Sequence, residues 1–162
     1  MNATKLIATW FGSGLAPVAP GTFGTLATVP LYLAIVLLGL PWWLVPLLAI
    51  ALAALGVLVA GRYERGTGRH DPKEVVIDEV AGYLVACSFA PLSWKTAVLA
   101  FVFFRILDAC KPAVVQRFER LPGGWGVMAD DLGAGLITGV ILWLAWGLIG
   151  GAWQGPLSVL AA

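Results

Sequence analysis

Charge is scarce in this chain. Asp, Glu, Lys and Arg make up only 12% of the 162 residues, and the formal net charge is +1. No basic tail or charge run is present, so no field suited to nucleic acid is expected. Cysteine is scarce too: Cys87 and Cys110 are the only two, one in an apolar run and one beside a charged stretch. Two such residues make no disulfide framework, and both are expected to stay reduced. Histidine occurs once, as His70. Residues 1–24 hold one lysine and are broken by Pro and Gly where a signal peptide needs a sustained apolar core, so the N-terminus is expected to be retained. No internal repeat or low-complexity segment divides the chain, and a single domain over residues 1–162 is expected.

What is abundant is apolar surface. Hydrophobic residues make up 60% of the chain and the mean hydropathy is +0.90, against roughly 45–50% apolar content in ordinary soluble domains. A chain this short cannot hide so much apolar surface in one core, so lipid must cover the rest. Residues 22–40 and 42–60 are uncharged runs of 19, close to the roughly 20 residues that cross about 30 Å of hydrocarbon. They read as a helical hairpin turning at Gly39-Leu40-Pro41. Residues 75–91 and 94–107 are shorter apolar segments, marginal as full spans, and residues 132–153 read as a clear final span. The expected fold is therefore all-α: a polytopic membrane bundle of about five hydrophobic helices, two of them short.

With five crossings, Lys5, Arg62, Arg65, Arg69, Lys73, Arg105, Lys111, Arg117 and Arg120 fall on one side, and only Lys95 falls on the other. Such a bias marks the first side as cytoplasmic. The N-terminus is then expected inside and the C-terminus outside, with Trp42, Trp43, Trp94 and Trp153 at the outer ends of spans. All nine acidic residues join the cytoplasmic side, which places a candidate active site at that face.

Polar residues concentrate in two islands. Residues 61–79 carry four basic and five acidic residues with His70, and residues 105–131 carry four of each. In the second island Asp108 and the pair Asp130-Asp131 bracket a Gly-Gly-x-Gly turn. Carboxylates at helix ends beside glycine-rich turns suit a divalent cation and a phosphate group. Asp78, Glu79, Asp108, Asp130 and Asp131 share one depth in this topology. Like charges gathered at low dielectric are costly, and bound Mg²⁺ would relieve that cost. The bland alternative is a set of salt bridges from Asp108 to Arg105 and Lys111, each three residues away. The first glycine-rich loop, residues 12–22, reads either as an anion cradle or as a plain turn into the first span. Glu64, Asp71, Glu74 and Glu119 read as solvated loop; His70 could be a ligand or a base, but a lone histidine before Asp71-Pro72 reads first as exposed loop.

One histidine excludes a two-histidine lipid phosphatase mechanism. Cys110 and Arg117 are separated by six residues without a glycine, which does not fit a cysteine phosphatase cradle. The DxDxT signature of aspartyl nucleophiles and the DG…AR…G…D…D pattern of CDP-alcohol phosphotransferases are also missing. Metal-assisted attack by water remains, with carboxylates on Mg²⁺, a cation on the phosphate and glycine-loop NH groups stabilising developing charge. The rival reading is a small membrane cation transporter or channel without enzymatic activity. That class places ionisable groups near mid-membrane and on both sides rather than gathered at one face.

Four motifs in order, GSGLAPVAPGTFGT (residues 12–25), VVIDEVAGY (75–83), FFRILDACKP (103–112) and GGWGVMADDLGAG (123–135), resemble the bacterial phosphatidylglycerophosphatase A family. The motif-bearing part spans residues 12–139. The resemblance implies a Mg²⁺-dependent enzyme of the bacterial inner membrane that hydrolyses phosphatidylglycerol phosphate to phosphatidylglycerol and phosphate. Its motifs fall on Gly14, Pro20, Gly21, Thr22, Asp78, Glu79, Gly82, Arg105, Asp108, Lys111, Pro112, Gly124, Gly126, Asp130 and Asp131. From these, a catalytic set of Asp78, Glu79, Arg105, Asp108, Lys111 and Asp130 is expected. By position and charge, Asp78, Glu79, Asp108 and Asp131 are the expected metal ligands, and Gly14, Gly21, Thr22, Gly124, Gly126 and Lys111 are the expected phosphate contacts.

Overall fold

The computed structural model describes residues 2–110 and 123–148. The expectations placed on Lys111, Arg117, Glu119, Arg120 and the tail with Trp153 lie outside these residues. Among the described residues every regular element is a helix: α1 (Ala3–Ala8), a 3-10 turn (Ser13–Leu15), α2 (Pro20–Leu37), α3 (Leu44–Thr67), α4 (Ile77–Cys87), α5 (Trp94–Cys110) and α6 (Gly124–Leu148). The all-α expectation therefore holds. Among the described residues three helices, α2, α3 and α6, are long and apolar enough to cross a membrane. A third of the most apolar window of α2 and of α3, and half of that of α6, is buried inside the protein, so much of each helix is left to face hydrocarbon.

The helix at the centre is the shortest of the main five. Every residue of α4 except Glu79 and Val85 is buried, because α4 packs against α2, α3, α5 and α6. An eleven-residue helix carrying two acids is a poor lipid-facing element, and enclosure by four neighbours resolves that conflict. Tyr32 of α2 and Tyr83 of α4 meet edge to face with centroids 6.4 Å apart, near fully buried Leu84, Phe104 and Leu142. The Tyr83 hydroxyl donates to the Ala97 carbonyl at 3.1 Å. Tyr32 accepts from the Ser93 N–H at 3.3 Å, so the turn between α4 and α5 is tied into the core with its polar groups satisfied.

At the opposite end of α4, α1, the first glycine-bearing loop and the α3–α4 loop pack together. Asn2 caps α1 by accepting from the Lys5 N–H at 2.9 Å, and the Val76 N–H donates to the Ala8 carbonyl at 2.9 Å. The buried Gly14 lies so close to this loop that a Cβ there would stand 2.2 Å from the Glu74 carbonyl oxygen.

The expected helix boundaries shift throughout, α4 ending at Cys87 rather than 91 and α5 running to Cys110 rather than 107, and two shifts are largest. The last helix starts at Gly124 rather than near residue 132, and of the three glycines in the expected turn Gly123, with φ 59°, is the one outside the helix. Gly124 and Gly126 are helical and buried. A Cβ on Gly124 would lie 2.0 Å from the Val57 carbonyl oxygen, so glycine here allows α6 to begin in backbone contact with α3. Helix α3 also runs past residue 60 to Thr67, because Tyr63 and Glu64 continue its buried face while Arg62 and Arg65 point to solvent. Gly68, with φ 66°, then ends it in the left-handed conformation.

Candidate active site

Four helices and one loop converge on a cavity of about 260 Å³ at the polar end of α4. The N-terminus of α2 contributes Ala19, Pro20 and Gly21. The α3–α4 loop contributes Asp71 and Lys73, and the first turn of α4 contributes Asp78 and Glu79. Arg105 and Asp108 come from the last turns of α5, and Asp130 and Asp131 from the second turn of α6. No side chain caps α4 at Val76, so Asp78 and Glu79 stand at the positive end of the helix dipole.

The carboxylates meet because two helix backbones meet. A Cβ on Gly135 would lie 2.3 Å from the Gly82 carbonyl oxygen, and one on Gly82 would lie 2.5 Å from the Asp131 carbonyl oxygen. Gly82 follows Asp78 by four residues and Gly135 follows Asp131 by four, so each acid lies one turn from the contact on the same helical face. The D-x-x-x-G spacing recurs in both helices, a signal in the sequence that matches this pairing. As a result Asp78, Glu79 and Asp131 each offer an oxygen within 4.8 Å of the others. Asp78 and Asp131 are 6% and 4% exposed, and the buried Asp78 Oδ1 and Glu79 Oε2 have no hydrogen-bond partner. Gathering three carboxylates so nearly out of water is costly without a compensating cation. This donor set is all oxygen and anionic, which fits a hard divalent ion.

Asp108 lines the same cavity, but its Oδ2 is engaged by Arg105 Nη1 at 2.8 Å, and it is outside the group of three. Arg105 Nη1 is also 4.0 Å from Glu79 Oε1. Gly21 backs onto Glu79 so closely that a Cβ would stand 2.0 Å from Oε1. Two residues on the cavity wall, Ala19 (φ 48°) and Asp71 (φ 45°), hold left-handed backbone angles. Such angles cost a residue like Ala about 1–2 kcal/mol and Asp less, and are often found at functional sites.

The structure thus brings together Asp78, Glu79, Arg105, Asp108, Asp130, Asp131 and Gly21. Gly14, Thr22, Gly124 and Gly126 are not on the wall of this cavity. Gly126 instead borders a smaller pocket of about 100 Å³ with His70, Asp71, Val127 and Asp130. Lys73 and Asp71 were not expected here. By sequence Asp71 reads as solvated loop, yet it lines the cavity wall. Glu64 corrects that reading as well: its side chain is 9% exposed and accepts from the Asp71 N–H at 2.9 Å. Beside it Arg69 pairs with Glu74. Desolvation raises the Glu74 pKa, but the Arg69 hydrogen bond, a backbone hydrogen bond and the charges of Arg69 and Lys5 together hold this carboxyl below its usual range.

The sequence pattern described as Phosphatidylglycerophosphatase A matches residues 6–146. A protein of that name from Escherichia coli (strain K12) is 37% identical over 99% of this chain and 90% of its own length. One from Haemophilus influenzae is 35% identical over 88% of each chain. A Bacteroides thetaiotaomicron protein described as a putative phosphatidylinositol-3-phosphatase is 37% identical over 90% of this chain and 94% of its own length. No solved structure matches the chain.

Proposed function

The chain belongs to the phosphatidylglycerophosphatase A family, and from that premise we infer that it hydrolyses phosphatidylglycerol phosphate to phosphatidylglycerol and inorganic phosphate with the help of Mg²⁺. The observation that carries this reading is the buried group of Asp78, Glu79 and Asp131 with its unpartnered oxygens. These three residues would hold the cation. When bound, it offsets their charge and supplies Lewis acidity toward a phosphoryl oxygen.

The chain's own groups do the rest. Arg105, oriented by Asp108, and Lys73 across the cavity offer cationic donors to the phosphate oxygens. The N-terminus of α2 at Ala19, Pro20 and Gly21 opens into the same space, adding its positive dipole end. Asp130 lines the wall beside Asp131 and stays in the catalytic set, as does Lys111 from beyond the described residues. In the reaction, water oxygen bonds to phosphorus while the bond from phosphorus to the glycerol oxygen breaks, and that oxygen leaves protonated.

In the bilayer, α2, α3 and α6 cross as lipid-facing helices, and α4 and α5 complete five crossings with α4 enclosed. Lys5, Arg62, Arg65, Arg69, Lys73 and Arg105 then lie at the site end and Lys95 at the other, which supports a cytoplasmic site in a bacterial inner membrane, a cytoplasmic N-terminus and an outer C-terminus. A headgroup at the membrane surface can reach such a site while its acyl chains stay in lipid.

The test is phosphate release by purified protein in detergent from phosphatidylglycerol phosphate, phosphatidylinositol 3-phosphate and phosphatidic acid, with and without chelator. Preferred release from phosphatidylglycerol phosphate that chelation abolishes is expected. No release from any of them, together with cation flux in vesicles, would favour a transporter instead.

A further inference from the structure

The α3–α4 loop reaches the cavity in a conformation that the chain alone would not favour. Asp71 holds φ 45° and lines both the main cavity and the smaller pocket behind it. A buried acceptor on α3 ties the loop in that conformation. Glu64 Oε1, on the inward face of α3 just before its end, accepts from the Asp71 N–H at 2.9 Å and lies 2.8 Å from His70 Nδ1. The ring of His70 is itself 67% exposed, so the pair anchors the loop at a point where one partner is fixed in the bundle and the other reaches solvent. Gly68 frees the loop from α3 at a left-handed cap, and the Val76 N–H bond to the Ala8 carbonyl fixes its far end. Between these anchors the loop delivers Asp71 and Lys73 to the wall that also carries Asp78 and Asp130.

We propose that Asp71 is a further catalytic carboxylate of this cavity, facing the reacting phosphate and water, and that Glu64 is its positioning residue. The inference rests on the phosphatase reading above. It adds a carboxylate from the α3–α4 loop, beside Lys73, to the acids of α4, α5 and α6. A glutamate that held the loop only for stability would lower activity independently of Asp71. A glutamate that acts through Asp71 loses its importance once the Asp71 carboxylate is gone.

The experiment measures kcat and KM for phosphatidylglycerol phosphate with four variants in matched detergent, alongside thermal unfolding of each. Asp71→Asn is expected to lower kcat at least tenfold with KM within threefold. Glu64→Ala should reproduce that loss, while Glu64→Gln, which keeps an oxygen for the Asp71 N–H, should retain at least half of wild-type kcat. Glu64→Ala placed on Asp71→Asn should cost less than a further twofold. Asp71 lies on an exposed loop, so Asp71→Asn stays informative even where Glu64→Ala unfolds. Asp71→Asn at wild-type kcat overturns the proposal while leaving the phosphatase reading intact, and so do multiplicative losses in the double variant. A wild-type protein that releases no phosphate overturns both.

Discussion

Replacing Gly21 with Ala separates the site from the fold. The added Cβ would stand 2.0 Å from Glu79 Oε1, 2.9 Å from Cδ and 3.3 Å from Arg105 Nη1. Ordinary contact begins near 3.4 Å, so the Glu79 oxygen must retreat by about 1.4 Å. It can do so, because the obstructed atom ends a flexible side chain rather than belonging to a backbone. The helix loses nothing: alanine is favoured over glycine in helices by up to about 1 kcal/mol, and Gly21 lies just inside α2. The carboxylate, however, leaves the group it forms with Asp78 and Asp131. A misplacement of about 1 Å in a reacting constellation costs on the order of 100-fold, or about 2.7 kcal/mol of transition-state stabilisation. Gly21→Ala should therefore show kcat/KM for phosphatidylglycerol phosphate reduced about 100-fold, with a melting temperature equal to or above wild type. Gly66→Ala is the control, since nothing lies within 4 Å of a Cβ there, and it should keep full activity. Gly21→Ala within threefold of wild type would refute the close packing of Glu79 on α2 as a requirement of the site.

Other consequences follow from the same geometry. Gly135→Ala drives a Cβ against the Gly82 carbonyl oxygen at 2.3 Å. Backbone cannot step aside cheaply, so thermal or denaturant unfolding should show a loss of about 1–3 kcal/mol together with loss of activity. Arg105→Ala removes a cation that Asp108 holds at 2.8 Å; steady-state kinetics should show KM raised about tenfold or more with the Mg²⁺ requirement unchanged. A reporter inserted near Gly66 should be cytoplasmic and one fused after residue 162 external, and finding both on one side would contradict five crossings.

The sequence made the helical class readable because two uncharged runs of membrane length and a third apolar run leave few other folds. The start of α2 was also close to hand, at Pro20 against an expected 22. What misled was glycine. Gly124 and Gly126 read as a turn because their composition favours one, yet they are buried helix positions, Gly124 at the contact with α3. A lone sequence does not distinguish a glycine that bends the chain from one that admits a neighbouring backbone. The site acids in α4 and α6 were legible from charge in an apolar context, since buried carboxylates need a reason. Asp108 fell between the two readings offered for it: it reaches the cavity and also forms the ion pair with Arg105 three residues before it. Glu64, Asp71 and Lys73 were not legible, because a charged loop looks solvated until its tertiary partners are known. Only the fold puts Glu64 on the inward face of α3 and turns Asp71 toward α4.

The claim at the centre of this account is that acids from α4 and α6 jointly hold the cation used in phosphomonoester hydrolysis. The most direct measurement is a Mg²⁺ titration of phosphate release from phosphatidylglycerol phosphate by wild type and Asp131→Asn. Wild type should saturate with Mg²⁺ and stop on chelation. Asp131→Asn keeps the shape but removes one anionic ligand, so its release should fall by at least about 100-fold and recover only in part at high Mg²⁺. Chelated wild type working at full rate, or Asp131→Asn with wild-type turnover and an unchanged Mg²⁺ dependence, would contradict the claim.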